Sequence, residues 1–503
     1  MKRIFMIFLA LILTGSFSSA AYALPTDFNG GVNNEYEYEE IVFVSGEAIK
    51  FTGEVSVSEK DKDDQKTISY KFQLTPEDKS ISGKLDRKIS YTINYNKRTD
   101  KGQTIAETAM DSYKETINID GVRYELEDYR FNKSDVIDNR PASDFSSGTF
   151  EGRKYYTINR NQGKLTITVS GGEVGYDNFW GHTQTQIIDY YLDSTRTIEA
   201  EDDEEQDREN SWQGMVRAYV SDSTAKSLRY EDNAAVYSSF AGAHMRVTNE
   251  EMASIYEYDL PRIDEEGIPE NNRRDVYSVN LNKQMVPKIE KLIIPKFRDL
   301  GGHWAEDYIN QLYSLDVFSE NSAFFAPDIP MSRIDFIEAV VKACDIRPSN
   351  QANTKPSTRR KEAPEVSPYY DLDASNPAYA YIKAAVEKGI ASGVSDTYFA
   401  PDDNLTRVQA VTILIRALGF ENVAPTPGYQ TSFYDNDQIP SWGIDSVYMG
   451  QRIGLVGGDT FNRLNPNQAL TKAEAAVMLV RFLNFLQEDL QKDYRDNIVL
   501  FRS

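Results

Sequence analysis

The chain is poor in the residues from which stapled or metal-built domains are made. It has one cysteine, Cys344, and three histidines, His182, His244 and His303. A lone thiol forms no internal disulfide, so a disulfide scaffold and a cysteine-rich zinc site are both excluded. No histidine stands in a metal-binding spacing such as H-E-x-x-H, and no G-x-S-x-G elbow marks a nucleophilic serine. The reading therefore assigns no metal and no cofactor. Positive charge is scarce as well. With 55 Lys and Arg against 78 Asp and Glu, the formal net charge is −23, which argues against general nucleic-acid binding, since that depends on basic patches neutralising phosphates. Long apolar runs are missing too. The run from Ile4 to Leu13 falls short of the roughly 20 residues that a membrane-spanning helix needs, and nothing later is longer.

That first run has its own meaning. Lys2 and Arg3 precede it, and small residues ending in Ala21-Tyr22-Ala23 follow. A charged start, an apolar centre and an A-x-A site predict a signal peptide over residues 1–23, with export of a mature chain that has no membrane span. At roughly 150 residues per domain, the length predicts two to four domains, and 40% hydrophobic residues suffice for packed cores.

Residues 24–295 read as strands. Ile49, Phe51, Val55 and Val57 recur at period two around Gly53, and "ISYTINY" and "KLTITVSG" alternate likewise. Asp120-Gly121 between alternating runs predicts a two-residue hairpin, and "INRNQGKLTI" predicts another near Gly163. Many short-spaced turn signals favour a mainly β, sandwich-like or barrel-like region. The acidic tract at 199–209 reads as a solvated loop. It and "DKDDQK" at Asp61 lack the ligand spacing and glycine of an EF-hand.

After Lys296 the period becomes helical, and three units repeat at intervals of about 65 residues. Phe297-Arg298-Asp299 aligns with Tyr369-Tyr370-Asp371 and Phe433-Tyr434-Asp435. Trp304, Pro377 and Trp442 open a first helix, whose buried face continues at Ile309, Ile382 and Val447. Gly389 and Gly454 stand where helix-ending glycines belong. Phe325-Ala326-Pro327, Phe399-Ala400-Pro401 and Leu464-Asn465-Pro466 follow, and six residues beyond each proline stands Arg333, Arg407 or Lys472. The expected units are 296–347, 368–424 and 425–486, with a Pro- and Ser-rich linker over 348–367 and a tail over 487–503.

Each second helix begins "SRID", "TRVQ" or "TKAE". Ser332, Thr406 and Thr471 are expected N-caps, with Asp335, Gln409 and Glu474 completing capping boxes. The cation between them is unfavourable beside the positive end of a helix, by about 0.3–1 kcal/mol. Its recurrence points to an anion, either a ligand at the free N–H groups of the helix start or an internal carboxylate such as that of the aromatic-x-Asp motif. Trp304 and Trp442 can pack on sugar rings, with Asp299, Asp371 and Asp435 as hydroxyl acceptors, or can simply be core.

These landmarks resemble S-layer homology repeats, whose pattern runs roughly F-x-D…HWA…G[IV]…F-x-P…[IL]TRAE. "FRDLGGHWAEDYI" and "LTKAEAAVMLV" carry the likeness most closely. Repeat 2 has Asn376-Pro377 for His-Trp, and repeat 3 has Lys472 for arginine. The resemblance implies an all-α, pseudo-threefold bundle with grooves between units. It also implies noncovalent anchoring to acidic secondary cell-wall polysaccharide, often pyruvylated, at the cell wall or S-layer, with other surface-layer proteins as further partners. Asp299, Trp304, Arg333, Asp371, Arg407, Asp435, Trp442 and Lys472 would line the grooves, which the departures from the pattern would make unequal.

The likeness stops at residue 295. Two readings of the β-rich half stand: a noncatalytic domain displayed outward, which the poverty of catalytic motifs favours, or a glycoside or cell-wall hydrolase working with two carboxylates. "NFWGHTQTQ" around Trp180 and His182 is its most site-like stretch, or else an aromatic cluster at a strand edge.

Overall fold

The computed structural model describes residues 28–62, 64–198, 208–231, 242–263, 268–294, 296–319, 322–346, 366–421, 423–425 and 430–489. The expected signal peptide, most of the acidic tract and nearly all of the linker lie outside these residues.

Among the described residues fourteen strands form one antiparallel sheet, in which β1 to β13 follow one another in sequence order. The chain enters through β1 (Val32–Asn33), β2 (Tyr38–Val42), β3 (Ile49–Lys62), β4 (Gln65–Pro76), β5 (Gly83–Arg98) and β6 (Gln103–Ile119). It continues through β7 (Val122–Asn139), β8 (Asp144–Ile158), β9 (Gly163–Asp177) and β10 (Gly181–Ile198). β11 (Arg208–Glu231), β12 (Ala243–Ile263) and β13 (Pro269–Gln284) follow, and β14 (Lys288–Leu292) pairs with β12 beyond β13.

From β3 to β13 the strands run 12 to 24 residues, far beyond the usual five or six or so. The sandwich-like expectation is corrected here. From β1 to β13 each strand pairs with its successor, so no break divides the ladder into two facing sheets, and the right-handed twist of such long strands curls one sheet upon itself instead.

Alternation sets the inside. In β4 the residues Tyr70, Phe72 and Leu74 point inward, while Lys71, Gln73 and Thr75 face water. Asp120 (φ 46°) and Gly121 (φ 82°) both take the left-handed conformation that a type I′ turn requires, and they join β6 to β7 as the dipeptide predicts. Gly53 is needed for close approach, because a Cβ there would lie 2.2 Å from the Gln73 carbonyl oxygen.

The curled sheet closes through side chains. Lys283 reaches Glu37 and Glu39 at 2.5 Å each, and the Val286 N–H donates to Glu35 Oε1 at 2.9 Å. Phe28 fills the interior against Tyr91, Phe131 and Phe150, and its carbonyl accepts from the Tyr190 hydroxyl.

The interior also holds charge. Arg87 donates bidentately to Glu40 at 2.7 and 2.8 Å and to Glu115 at 3.0 and 3.2 Å. Burial would raise the Glu115 carboxyl, but Arg87 and Lys154 outweigh it and hold the group at about 2.

Among the described residues six α-helices make the second region: α1 (Glu306–Ser314), α2 (Arg333–Ala343), α3 (Tyr379–Glu387), α4 (Arg407–Leu418), α5 (Ile444–Arg452) and α6 (Lys472–Asn484). Among the described residues no helix is long and apolar enough to cross a membrane. The helices pack in a cycle, α3 on α2, α5 on α4 and α1 on α6. Backbone bonds repeat the cycle: Met331 N–H donates to Leu470 O, Leu470 N–H to Leu405 O and Leu405 N–H to Met331 O, at 2.8 to 3.0 Å. Small side chains at Ala339, Ala385, Ala410, Ala417, Ala475 and Ala476 allow the helices to approach closely.

One end of the barrel seats on this region. Ala142, in the β7–β8 turn, donates its N–H to Ala417 O at 2.9 Å, and Arg140 donates to Gly419 O at 3.1 Å. Asn178, in the β9–β10 turn, donates to Leu486 O at 3.2 Å. Barrel residues thus satisfy carbonyls at the C-terminal ends of helices, which have no partners within the helix. Trp180, 2% exposed, belongs to the same apolar cluster as the helices. The "NFWG" stretch is therefore the seam between the two regions.

Candidate functional site

The N-caps form as the sequence predicts. Ser332 accepts from Asp335 N–H, and Thr406 and Thr471 form capping boxes with Gln409 and Glu474. Asp335 is too short to reach back to the backbone, and its Oδ2 takes the Ser332 hydroxyl at 2.6 Å instead.

The three Asp residues all have one duty. Asp299 accepts from the N–H groups of Phe325 and Ala326, Asp371 from Phe399 and Ala400, and Asp435 from Leu464 and Asn465, all at 2.6 to 2.9 Å. The second residue of each pair has positive φ: 58° at Ala326, 59° at Ala400 and 55° at Asn465. Each carboxylate thereby fixes a left-handed turn, which presents the carbonyl of the residue before it. Burial raises the Asp299 and Asp371 carboxyls, but these backbone donors outweigh it and hold them below the ordinary value.

The basic residues meet those turns across unit boundaries. Arg333 N–H donates to Asp403 O, Arg407 N–H to Gln468 O and Lys472 N–H to Ile329 O, each in the next unit of the cycle. The Arg333 guanidinium lies 5.2 Å from the Phe399 ring centroid and donates to Ser392 O at 2.6 Å. Arg407 donates to Leu464 O at 3.4 Å and pairs with Glu474 at 2.5 Å. Lys472 lies 5.3 Å from the Phe325 ring centroid, in a cavity of about 100 Å³ shared with Asp335 and Glu338.

The grooves therefore differ. Arg333 is 9% exposed, its Nε has no hydrogen-bond partner, and among the described residues no carboxylate pairs with it. Burial, then the charge of Arg416, pulls its guanidinium below the ordinary value, and the opposing effects of Tyr369 and Asp403 do not offset them. Arg407 Nε is also without a partner, but its Nη2 has Glu474.

Trp304 and Trp442 are 60% and 56% exposed at the starts of α1 and α5. They are not core, and they are open to stacking on an apolar ring face. The carboxylates that sequence reasoning missed as groove residues are Glu474 and Asp335. The capping signature explained them completely, so nothing in the sequence signalled a second contact.

A family model described as S-layer homology domain matches residues 296–337, 368–411 and 432–476. The chain carries three S-layer homology domains. Among its relatives, an endoglucanase of Bacillus sp. (strain KSM-635) is 27% identical over 182 residues, 36% of this chain and 18% of the relative. The surface-layer 125 kDa protein of Lysinibacillus sphaericus is 26% identical over 201 residues, 39% of this chain and 15% of the relative. The exoglucanase XynX of Acetivibrio thermocellus is 25% identical over 194 residues, 37% and 16% of the two chains. The chain thus spans less than a fifth of the length of these relatives.

Proposed function

We propose that this is an exported, noncatalytic surface protein. Its S-layer homology domains close as a pseudo-threefold bundle and bind acidic secondary cell-wall polysaccharide, while the barrel is displayed outward. Residence at the cell wall or S-layer is supported by the three domains and by relatives named as surface-layer and cell-surface proteins. The observation that carries the ligand reading is Arg333, a buried guanidinium without a carboxylate, at a helix start beside an aromatic ring. Such a group suits a planar carboxylate, as in a pyruvate ketal. The cyclic backbone bonds through Met331, Leu405 and Leu470 support the threefold reading.

A hydrolase in the barrel finds less support. Glu40 and Glu115 are clamped by Arg87, Asp135 and Glu173 are bridged by Lys133, and Asp222 and Glu250 are 2% and 4% exposed. These buried carboxylates are not open to a polymer. The test is co-sedimentation of the full mature chain with purified walls, before and after the secondary polymer is stripped. Binding only to unstripped walls, lost in Arg333→Met, is the expected outcome; equal binding to stripped walls would overturn the reading.

A further inference from the structure

The barrel interior changes character toward the end that seats on the bundle. Farther from the bundle its charges balance, with Arg87 and Lys154 set against Glu40 and Glu115. Nearer to it Lys133 bridges Asp135 and Glu173. Beyond these stands Asp222 on β11, directly across from Gln184 on β10 and Met252 on β12. Gln186, Glu250 and Ser254 each lie two residues from one of these partners, on the same inward face. All three are therefore diagonal neighbours of Asp222, about 7–8 Å from it at the backbone.

The four side chains are 0% to 4% exposed. Among the described residues, Asp222 Oδ1, Glu250 Oε2, Gln186 Oε1 and Ser254 Oγ have no hydrogen-bond partner. Such a group of buried oxygens around one residue is unusual, because nearly every buried polar atom is paired. Two of them are oriented by their own side chains' other contacts. Gln186 Nε2 donates to Glu173 Oε2 at 2.8 Å, which turns the amide oxygen away from that carboxylate. Lys288 Nζ holds Glu250 Oε1 at 3.0 Å and leaves Oε2 free. The charge does not close either. Glu250 is the charge that acts on Asp222, and its sign is the same. Lys288 is half exposed, and Lys226 acts on Glu250 from the seam, with its Nζ bonded to Phe179 O at 2.6 Å. Asp177 and His182, 3.8 Å apart, stand at the partly exposed rim.

We propose that the barrel holds a divalent cation of calcium size between Asp222 and Glu250, with the neutral oxygens of Gln186 and Ser254 and water completing its shell. Two carboxylates among neutral oxygens, with no nitrogen or sulfur, suit a hard cation, and calcium accepts six to eight such ligands in flexible geometry. The ion replaces the proton that otherwise stays on Asp222, whose carboxyl burial and then Glu250 push up to about 8. The ligands come from three strands and form no local motif. The site lies a short way along β11 from Lys226, whose N–H donates to Trp180 O at 2.8 Å, so the ion ties together strands that carry the seam. The proposal is independent of the anchoring reading.

The test is calorimetric titration of the full mature chain, first stripped with a chelator, with calcium chloride at pH 7 in two buffers of different ionisation heat. One ion is expected to bind with release of about one proton. It should raise Tm by roughly 5 °C or more at a hundredfold excess over Kd. Asp222→Asn and Glu250→Gln should each abolish both effects, and their melting without calcium confirms that they fold. Binding that releases no proton, or that survives in either variant, would place the ion on surface carboxylates such as the 199–209 tract and overturn the site. A native chain that binds no calcium would overturn it as well.

Discussion

Arg87 in the barrel and Arg333 in the helical bundle are both buried arginines, 4% and 9% exposed. Arg87 has two carboxylates, with two bonds to each, and the face of Phe72 at 5.1 Å. Arg333 has one carbonyl and one ring. The first is a closed account of charge inside a core, and the second is an open one at a boundary between units. Burial alone therefore does not single out a cation for a ligand; the proposed reading rests on burial without a paired carboxylate. The two regions differ in the same sense throughout. The barrel interior includes paired charged groups such as Lys133 with Asp135 and Glu173, whereas among the described residues the charged side chains buried in the bundle are Arg333 and Asp435.

Breaking the barrel's account should have the largest effect. Arg87→Met leaves Glu40 and Glu115 buried and unpaired, and should cost about 3–5 kcal/mol in urea unfolding followed by far-ultraviolet dichroism. If the bundle's helical signal melts together with the sheet, the two regions are one cooperative unit; separate transitions would sharpen the contrast between them.

Trp180→Ala addresses the seam. Removing a side chain packed among Ala142, Phe179 and the helices should cost about 3 kcal/mol. It should also split a single calorimetric transition into two.

A smaller effect concerns pH. Burial, then the charge of Glu250, pushes the Asp222 carboxyl up to about 8. The folded value lies above the ordinary one, so the folded state holds the proton longer and stability falls as pH rises from 4 through 8. In calcium-free buffer, Asp222→Asn should unfold at higher urea than the native protein at pH 9 and leave stability at pH 4 nearly unchanged. Equal melting curves for both proteins at pH 9 would remove Asp222 from the interior's charge balance.

Much of the bundle was legible in the sequence because its information is local. Caps, helix-ending glycines and the aromatic-x-Asp landmarks act within a few residues of themselves, and three copies made each legible against the others. Turn chemistry was legible in the barrel for the same reason, as Asp120-Gly121 demonstrates. Closure was not. Phe28 meets Tyr190 and the Asn29 carbonyl meets Tyr256 across 162 and 227 positions, and no pattern within a strand encodes such pairings. Arg87 and Glu40 read as solvated charges because their partnership spans 47 positions. Glu474 failed to stand out for a subtler reason: its local role was sufficient, and its second partner, Arg407, lies 67 positions away.

The seam has a mechanical consequence. The barrel grips the bundle where α4 and α6 end, and the basic residues stand at the opposite ends of these helices, roughly 18 Å away along a 12-residue helix. If the basic ends are held by the wall, as proposed, a pull on the barrel loads the helices along their axes, as tension along a rod. Such a load passes through the seam, where one backbone bond from Ala142, side-chain bonds from Arg140 and Asn178 and the packing of Trp180 join the two regions.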